Sequence, residues 1–297
     1  MSEDFSARVA NQIRVILGWS QLITDVLRED PADDSPAGLE RKDNALYAHP
    51  DLGDEPVSAA QIEPGSKIAA ANDNLLAYAN LLDHDRLTPY AHFAVVRASL
   101  EAAGQAAWLL DAPDSKARVA RWCGGRISSM LEAAHAAHAV TGKPDKQTLA
   151  RRERLIAATK AKNILTKKTP GYGTLVRDLV APEPALANLA GLIYGVLSAV
   201  AHAENWGLRQ LMEMAPPGSA PDFGPNTSNV GTMIAVVQSD GATAWMSTAV
   251  VLGHRQLLLR LARLYGRSDR THEWAAEIDR LLEIVLPVLR QGASESP

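Results

Sequence analysis

Two pairs of polar residues lie four positions apart in otherwise apolar stretches of the chain. Arg97 and Glu101 form one pair, and Ser198 and His202 form the other, with Tyr194 one turn before Ser198. Residues four apart share one face of an α-helix, so each set should point in a single direction. If the two helices that carry them are neighbours, the five side chains converge on one polar site.

The residue types at this predicted catalytic site support acid–base chemistry beside a phosphate. His202 can donate or accept a proton near neutral pH, and Glu101 or Tyr194 can orient its ring. The guanidinium group of Arg97 can hold the oxygens of an anion such as phosphate. This chemistry needs no metal ion and no cofactor, and we expect neither. The alternative is a buried network in which these groups satisfy one another and fix the helix register.

A strongly basic segment runs from Lys143 to Lys168, with nine Lys or Arg residues against Asp145 and Glu153. Binding of phosphates by such a segment would depend strongly on salt. We predict contacts with RNA or another phosphate-containing ligand from five of its residues: Arg151, Arg152, Arg154, Lys160 and Lys162. The alternative is a solvated helix face, because the segment lacks the interleaved aromatic residues that favour single-stranded recognition.

Other patterns with catalytic or metal-binding potential are incomplete. Glu132 and His135 have the Glu-x-x-His spacing of di-metal carboxylate bundles, but the chain contains no second such pair. Asp30, Asp33 and Asp34 lie in a Pro-rich acidic stretch and have no partner motif. Neither Gly-x-Gly-x-x-Gly nor Gly-x-Ser-x-Gly occurs, which argues against a nucleotide-binding α/β fold and a serine hydrolase. The sequence predicts no metal site.

Helices must position these residues, because the 46% hydrophobic content is dominated by alanine and leucine and only 5% of the chain is aromatic. Helical spacing predicts a short helix after residue 173 and longer ones at about 6–29, 64–85, 89–110, 115–141, 144–168, 185–214, 243–265 and 271–289. Short connections between most of them predict an all-α antiparallel bundle of about seven to nine helices. Near 230–245 a short β-hairpin is the alternative to a helix that starts at Ala242.

Three regions are predicted along the chain. Residues 1–29 form an N-terminal helix or arm, residues 30–57 an acidic Pro-rich loop, and residues 58–297 the helical bundle. A net charge of −4 and a single cysteine, Cys123, favour a reducing, cytoplasmic location and exclude a disulfide framework. Residues 185–203 are apolar enough to suggest a membrane span, but their alanines, His202 and Asn188 favour a buried helix, so we expect no membrane association.

A family resemblance follows from these motifs: Arg97-Ala-Ser-Leu-Glu101, Trp108-Leu-Leu-Asp111 with Arg118 and Arg121, and Tyr194 with Ser198-Ala-Val-Ala-His202. The stretch from Pro64 to Trp206 resembles bacterial helical-bundle proteins that are similar to the HEPN (higher eukaryotes and prokaryotes nucleotide-binding) class. The resemblance implies an all-helical bundle that is often dimeric. It also implies metal-independent ribonuclease activity in a toxin or defence system, with RNA as a partner beside a homodimer mate or another protein.

The HEPN ribonuclease signature is an arginine and a histidine separated by four to six intervening residues. His202 departs from it, because positions 195–197 are Gly, Val and Leu. Two pairs fit the spacing, Arg86 with His92 and Arg267 with His272. A chain with this many arginines and eight histidines is expected to contain about two such pairs by chance. Ribonuclease action is therefore a hypothesis within a broader expectation of RNA or phosphate binding. The alternatives are a non-enzymatic interaction or regulatory protein and a helical biosynthetic enzyme with an enclosed apolar pocket.

Overall fold

The structure is a computed structural model that describes residues 3–83, 91–184, 186, 189–202 and 240–294. Its regular structure over these ranges is helical, which confirms the predicted all-α class. The α-helices are α1 (Glu3–Thr24), α2 (Pro36–Arg41), α3 (Asn44–Tyr47), α4 (Pro56–Ile62), α5 (Pro64–Leu82), α6 (Ala91–Leu110), α7 (Ser115–Thr141), α8 (Lys146–Ala161), α9 (Tyr172–Val180), α10 (Ala190–Ala201), α11 (Asp240–Tyr265) and α12 (His272–Ser294). Short 3₁₀ helices span Asp25–Arg28 and Ser268–Thr271.

The ends of α7 follow from local sequence chemistry. The Asp114 carboxylate accepts a hydrogen bond from the Ala117 backbone N–H at 2.7 Å, which caps the first turn. Gly142 follows the last turn with a φ of 69°, a left-handed conformation that glycine adopts without steric cost. The predicted helix at 115–141 therefore has the bounds that its capping residues indicate.

The basic segment differs from its prediction as one helix over 144–168. Helix α8 begins after Asp145, whose carboxylate accepts hydrogen bonds from the backbone and hydroxyl of Thr148, and it ends at Ala161. Asn163 has a φ of 53° and stops the helix in the left-handed region. The following residues run without helical hydrogen bonding until α9 begins at Tyr172.

Two other predictions need correction. The acidic segment is not one loop, because α2 and α3 lie within it and the Ser35 hydroxyl caps α2 by accepting from the Gly38 N–H. Near the predicted hairpin, residues 240–245 are helical: α11 begins at Asp240, an acidic residue that suits the positive end of a helix. The rest of that hairpin, 230–239, lies outside the described residues.

Most helices share one hydrophobic core. Helix α6 packs against α5, α9, α10 and α11, while α1 packs against α5, α11 and α12. The N-terminal segment is thus a helix whose Val9, Ile13 and Ile16 are fully buried in this core. A second, smaller cluster joins α4, α7 and α8 and contains Cys123, and burial there raises the pKa of the Cys123 thiol to about 12. The thiol therefore stays protonated at neutral pH and acts as an apolar packing group.

Helix α10 is shorter than its predicted range of 185–214. It packs against α6 and α9 with Ile193 and Leu197 buried, whereas Leu192 on its other side is 55% exposed. The apolar sequence predicts a helix that is buried on all sides, but α10 has one exposed side. Residues 203–214 of the predicted helix lie outside the described range. Within that range, no helix has both the length and the apolar content that a membrane span requires.

Arg118 joins the acidic segment to the bundle. Its side chain is almost fully buried, and its Nε and Nη2 atoms lie 2.6 and 3.0 Å from the two carboxylate oxygens of Glu40. The remaining N–H groups donate to the backbone oxygens of Leu109, Leu110 and Ala112 at the end of α6. One guanidinium group therefore ties α2, α6 and α7 together.

His254 is a buried titratable group in the main core. Its Nε2 atom lies 3.0 Å from the Ser20 hydroxyl oxygen, and its ring makes an edge contact with Trp274. Burial lowers the pKa of His254 to about 4, so the folded protein holds a neutral ring at pH 7.

The stability of the fold should therefore decrease in mild acid. Unfolding exposes His254, which then binds a proton below its ordinary pKa of about 6.5, while the folded state binds none until about pH 4. This difference removes about 2 kcal/mol from the free energy of unfolding between pH 7 and pH 5. Urea denaturation at both pH values measures it, and His254→Gln should reduce the pH dependence by that amount. An unchanged pH dependence in His254→Gln, or an equal effect of the exposed His135→Gln, would contradict the assignment.

Candidate functional site

Four of the five predicted catalytic residues meet where α6 contacts α10. Arg97 lies at the centre of this Arg97 cluster. Its Nε donates to Glu101 Oε1 at 2.8 Å, its Nη1 lies 2.8 Å from His202 Nε2, and its Nη2 donates to the Tyr194 hydroxyl at 3.2 Å. The guanidinium also lies over the Tyr194 ring, 5.4 Å from its centroid. The two helices are thus neighbours and present these polar side chains to each other.

Local helix geometry sets up the cluster. Arg97 and Glu101 are one turn apart on α6, so the carboxylate holds the guanidinium along its own helix. Tyr194 and His202 are two turns apart on α10, and the His202 backbone N–H donates to the Ser198 carbonyl at the end of that helix. The long side chain of Arg97 can therefore reach both Tyr194 and His202.

The hydrogen-bond pattern fixes the state of the histidine ring. Arginine has only N–H donors, so the Nε2 atom of His202 must be the acceptor in its contact with Arg97. In this arrangement the ring is neutral and carries its proton on Nδ1. His202 is thus a base whose lone pair is held by Arg97.

The environment of the cluster shifts the pKa values of Arg97 and Tyr194. Burial lowers the pKa of Arg97, but the hydrogen bond and negative charge of Glu101 outweigh that effect and raise it above its ordinary value. Burial and the Glu101 charge raise the pKa of the Tyr194 phenol, against the opposing effect of Arg97. At neutral pH Arg97 is therefore a cation, and the Tyr194 phenol holds its proton.

Solvent reaches the Arg97 cluster. The side chains of Arg97 and Glu101 are 21% and 19% exposed, and His202 is exposed at the end of α10. A fully buried network would isolate these groups from any ligand. This exposure allows an anion to approach the guanidinium group from solvent.

Ser198, the fifth predicted residue, takes no part in the cluster. It lies on α10 between Tyr194 and His202 and is half-buried. No hydrogen bond joins its hydroxyl to Arg97, Glu101, Tyr194 or His202, and its backbone oxygen bonds only to the His202 N–H in the part of the chain that the structure describes. Ser198 therefore adds no hydrogen bond to the Arg97 cluster.

The basic residues of α8 are dispersed and do not form one exposed stripe. Arg151 and Arg154 line a small cavity of about 150 Å³ beside Asp51, to which Arg154 is paired at 3.5 Å. Arg126 of α7 lines the same cavity. Lys160 is exposed.

The other two basic residues have partly buried environments. Arg152 is half-buried, and its Nε atom has no hydrogen-bond partner among the described residues. Lys162 donates to the Leu46 carbonyl at 3.3 Å and so contacts α3. Among the described residues, no ion pair or hydrogen bond connects any of the five predicted phosphate contacts to the Arg97 cluster.

A larger cleft that sequence reasoning missed lies beside Trp108 and Trp122. It has a volume of about 550 Å³ and is bordered by α6, α7, the start of α5 and residues 168–172. Arg121 lies over the Trp108 ring at 5.1 Å, and Arg126 lies over the Trp122 ring at 4.8 Å. Trp122 and Arg126 are four apart on α7, a spacing that could have revealed this pair in the sequence.

Gly124 allows one wall of this cleft to form. The chain after α8 runs against α7, where the Lys167 N–H donates to the Ala120 carbonyl at 3.1 Å. A Cβ atom at position 124 would overlap the Lys167 carbonyl oxygen, which is backbone and cannot rotate away. The packing of this chain segment therefore requires glycine at position 124.

Two matched substitutions test this role. Gly124→Ala is expected to lower the free energy of unfolding by about 1–3 kcal/mol, because the segment at Lys167 must move. Gly125→Ala meets no atom within 4 Å and should raise stability by up to about 1 kcal/mol through better helix propensity. Urea denaturation of both variants gives the comparison. Equal stability of the two would show that the close approach at Gly124 has no energetic consequence.

The weaker metal patterns remain unsupported. Glu132, His135 and His138 are all exposed on α7. No group of three or more His, Cys, Asp or Glu residues that could hold a metal ion occurs among the residues described.

Comparisons of the chain with protein-family models, with curated proteins and with solved structures give no match. The resemblance to HEPN-like proteins therefore stays a prediction from the sequence motifs. The structure adds that two of these motifs touch, through Arg97 of one and His202 of the other.

Proposed function

We propose that the protein binds RNA or another phosphate-containing ligand at the Arg97 cluster and cleaves RNA there without a metal ion. In this proposal it is a HEPN-like endoribonuclease of a toxin or defence system. One observation carries the argument: a single arginine contacts a histidine, a tyrosine and a carboxylate at a position that solvent reaches.

Phosphate binding would use the two outer nitrogens of Arg97. Glu101 holds Nε, while Nη1 and Nη2 bond to the neutral side chains of His202 and Tyr194. Hydrogen bonds from a guanidinium to an anionic oxygen are roughly twice as strong as those to neutral acceptors. An incoming phosphate should therefore displace His202 from Arg97 and free the Nε2 lone pair.

The freed histidine can then start cleavage. His202 Nε2 accepts the proton of the ribose 2′-hydroxyl, and O2′ attacks the adjacent phosphorus to form an O2′–P bond. Arg97 neutralises the charge that develops on the non-bridging oxygens. The P–O5′ bond breaks, which leaves a 2′,3′-cyclic phosphate on one fragment.

Tyr194 can complete the proton balance. Burial raises the pKa of its phenol, so the group holds its proton at neutral pH and can give it to the departing O5′. The product fragment then carries a 5′-hydroxyl. The proton held by His202 returns to Tyr194 through solvent, and the site is restored without a metal ion.

The basic side chains beyond the cluster would bind the RNA backbone. Arg151 and Arg154 share a small cavity with Arg126, and Lys160 is exposed on the same helix. Contacts of this kind add affinity without base specificity and weaken as salt increases. We therefore expect RNA binding to depend on salt even where cleavage depends on the Arg97 cluster.

Cleavage of a single-stranded RNA in excess EDTA tests the proposal. His202→Ala should slow single-turnover cleavage by about 10²- to 10⁴-fold, because the general base is lost. His135→Ala, which removes an exposed histidine on α7, is the matched control and should cleave at the wild-type rate. Cleavage that persists at full rate in His202→Ala, or that stops when EDTA is added to the wild type, would overturn the proposed chemistry.

The competing function is a non-enzymatic interaction protein in which the cluster only fixes the packing of α6 on α10. Under that alternative, Arg97→Ala lowers the melting temperature but leaves RNA affinity unchanged. Fluorescence anisotropy with a labelled RNA and a thermal melt of the same sample separate the two functions.

A further inference from the structure

Six side chains define what we call the Trp–Arg cleft: Lys67, Trp108, Arg121, Trp122, Arg126 and Lys168. Four of them are cations, and none of the four forms an ion pair with a described residue. Two carboxylates, Glu63 and Glu132, also border the cleft, so the cations exceed the acids by two. A surplus of unpaired positive charge in a concave site favours an anionic ligand.

The two arginines of the cleft are held in place before any ligand arrives. Each guanidinium lies over a tryptophan ring, Arg121 over Trp108 and Arg126 over Trp122. Arg121 also donates from Nη1 to the Trp108 carbonyl. A side chain that is already ordered loses little conformational freedom on binding, so its contacts contribute more to affinity.

Arg121 has unused donor capacity. Its Nε atom is buried and has no hydrogen-bond partner among the described residues. Burial lowers the pKa of Arg121, and the charge of Arg118 lowers it further against the opposing effect of Asp111. The charged guanidinium is therefore less stable here than in water, and an anion beside it would offset that cost.

The walls and the size of the cleft indicate the body of the ligand. Tryptophan rings, Leu109, Met130 and Pro170 supply apolar surface next to the cations. The volume of about 550 Å³ lies in the range of sites that hold small organic molecules. Aromatic rings and arginine planes both stack on flat groups.

We propose that the Trp–Arg cleft binds a small organic anion that carries a phosphate or carboxylate on a planar aromatic body. The anionic group bonds to Arg121, Arg126 and Lys168, and the planar body packs against Trp108. This inference goes beyond the proposed nuclease and does not depend on it.

The cleft is separate from the Arg97 cluster. None of Arg97, Glu101, Tyr194 and His202 lines it. Gln105, which does, is one turn beyond Glu101 on α6, about 6 Å along the helix axis. Substitutions can therefore address the two sites independently.

Isothermal titration calorimetry tests the cleft with two aromatic anions, adenosine monophosphate and 1-naphthoate. We expect saturable binding of at least one, and which of them binds tells whether the head group is phosphate or carboxylate. Inorganic phosphate and adenosine, each lacking half of the ligand, should bind at least about tenfold more weakly than adenosine monophosphate if the phosphate is recognised. Absence of saturable binding of both aromatic anions at millimolar concentration would overturn the proposal.

Variants assign the binding to the cleft. Arg126→Met keeps the packing of the side-chain stem on Trp122 but removes the charge, and Lys168→Met changes an exposed residue, so folding is retained in at least the second. Each should weaken the bound anion about tenfold or more. The control Lys116→Met removes an exposed lysine outside the cleft and should leave affinity unchanged. Wild-type affinity in both Arg126→Met and Lys168→Met would contradict the site.

One further variant separates this inference from the proposed function. Arg97→Ala should retain full affinity for the anion while it loses RNA cleavage. Loss of anion binding in Arg97→Ala would place the anion in the Arg97 cluster and overturn the inference, whatever the outcome for cleavage.

Discussion

Arg97→Lys is expected to reduce RNA cleavage nearly as much as Arg97→Ala, by about 10²- to 10³-fold in kcat/KM. The reason is geometric. Three separate nitrogens of Arg97 engage Glu101, His202 and Tyr194, and a lysine ammonium is a single point that cannot meet all three partners at once. Arg97→Lys keeps the positive charge and Arg97→Ala removes it, but both lose the planar guanidinium group. Similar cleavage rates of the two variants would therefore show that the geometry of the guanidinium is required.

The measurement is single-turnover cleavage over a range of RNA concentrations, with Arg177→Lys as the matched control. Arg177 is an exposed arginine on α9 whose carboxylate partner is its sequence neighbour Asp178. Its substitution should leave kcat/KM unchanged. Wild-type activity of Arg97→Lys would mean that charge alone suffices at this position and would remove the geometric basis of the proposed mechanism.

Stability should respond far less than activity at Arg97. The guanidinium and its carboxylate partner are both partly exposed, so water solvates Glu101 when the arginine is gone. Partly exposed ion pairs contribute roughly 0–1 kcal/mol. A thermal melt of Arg97→Lys close to that of the wild type is therefore expected, and it keeps the activity result interpretable.

Arg118→Met is expected to lower the free energy of unfolding by about 3–5 kcal/mol. Methionine fills much of the same volume, but it removes the cation that is paired with Glu40 and the donor to three backbone oxygens at the end of α6. Uncompensated buried polar groups are among the largest single contributions to mutational destabilisation. Urea denaturation at pH 7 gives the value.

Arg154→Met is the control for this prediction. Arg154 is also paired with an acid, Asp51, but its side chain is 67% exposed. Its loss should change the free energy of unfolding by less than about 1 kcal/mol. A double variant, Arg118→Met with Glu40→Leu, should recover part of the loss, since no carboxylate is then left unpaired. Stability of Arg118→Met within about 1 kcal/mol of the wild type would contradict the buried-pair assignment.

Local sequence signals were informative wherever the physical cause is local. Asp114 and Gly142 bound α7 because a capping carboxylate and a left-handed glycine act within a few residues. The end of α8 was mispredicted because it depends on Asn163 adopting a positive φ, which basic and apolar spacing does not reveal. Similarly, proline and acidic residues predicted a loop at 30–57, where α2 is capped by Ser35 and anchored to Arg118.

The candidate site shows the same division. The i, i+4 spacing of Arg97 with Glu101 is a property of one helix and could be read directly. Whether Tyr194 and His202 reach Arg97, and that Ser198 makes no hydrogen bond to the cluster, depend on how α10 packs against α6. Trp122 and Arg126 were readable as a helical pair, but their cleft was not, because its other walls come from α6 and from residues 168–172.

By itself, the sequence determined the helical class, most helix positions and the polar pairs on two apolar helices. These depend on propensity, capping and periodicity, which act over a turn or two. Only the tertiary structure decided that Arg97 meets His202, that Glu40 meets Arg118 and that two tryptophan–arginine pairs border one cleft. The first two contacts join residues that are 105 and 78 positions apart. All of these arrangements follow from the packing of whole helices against one another.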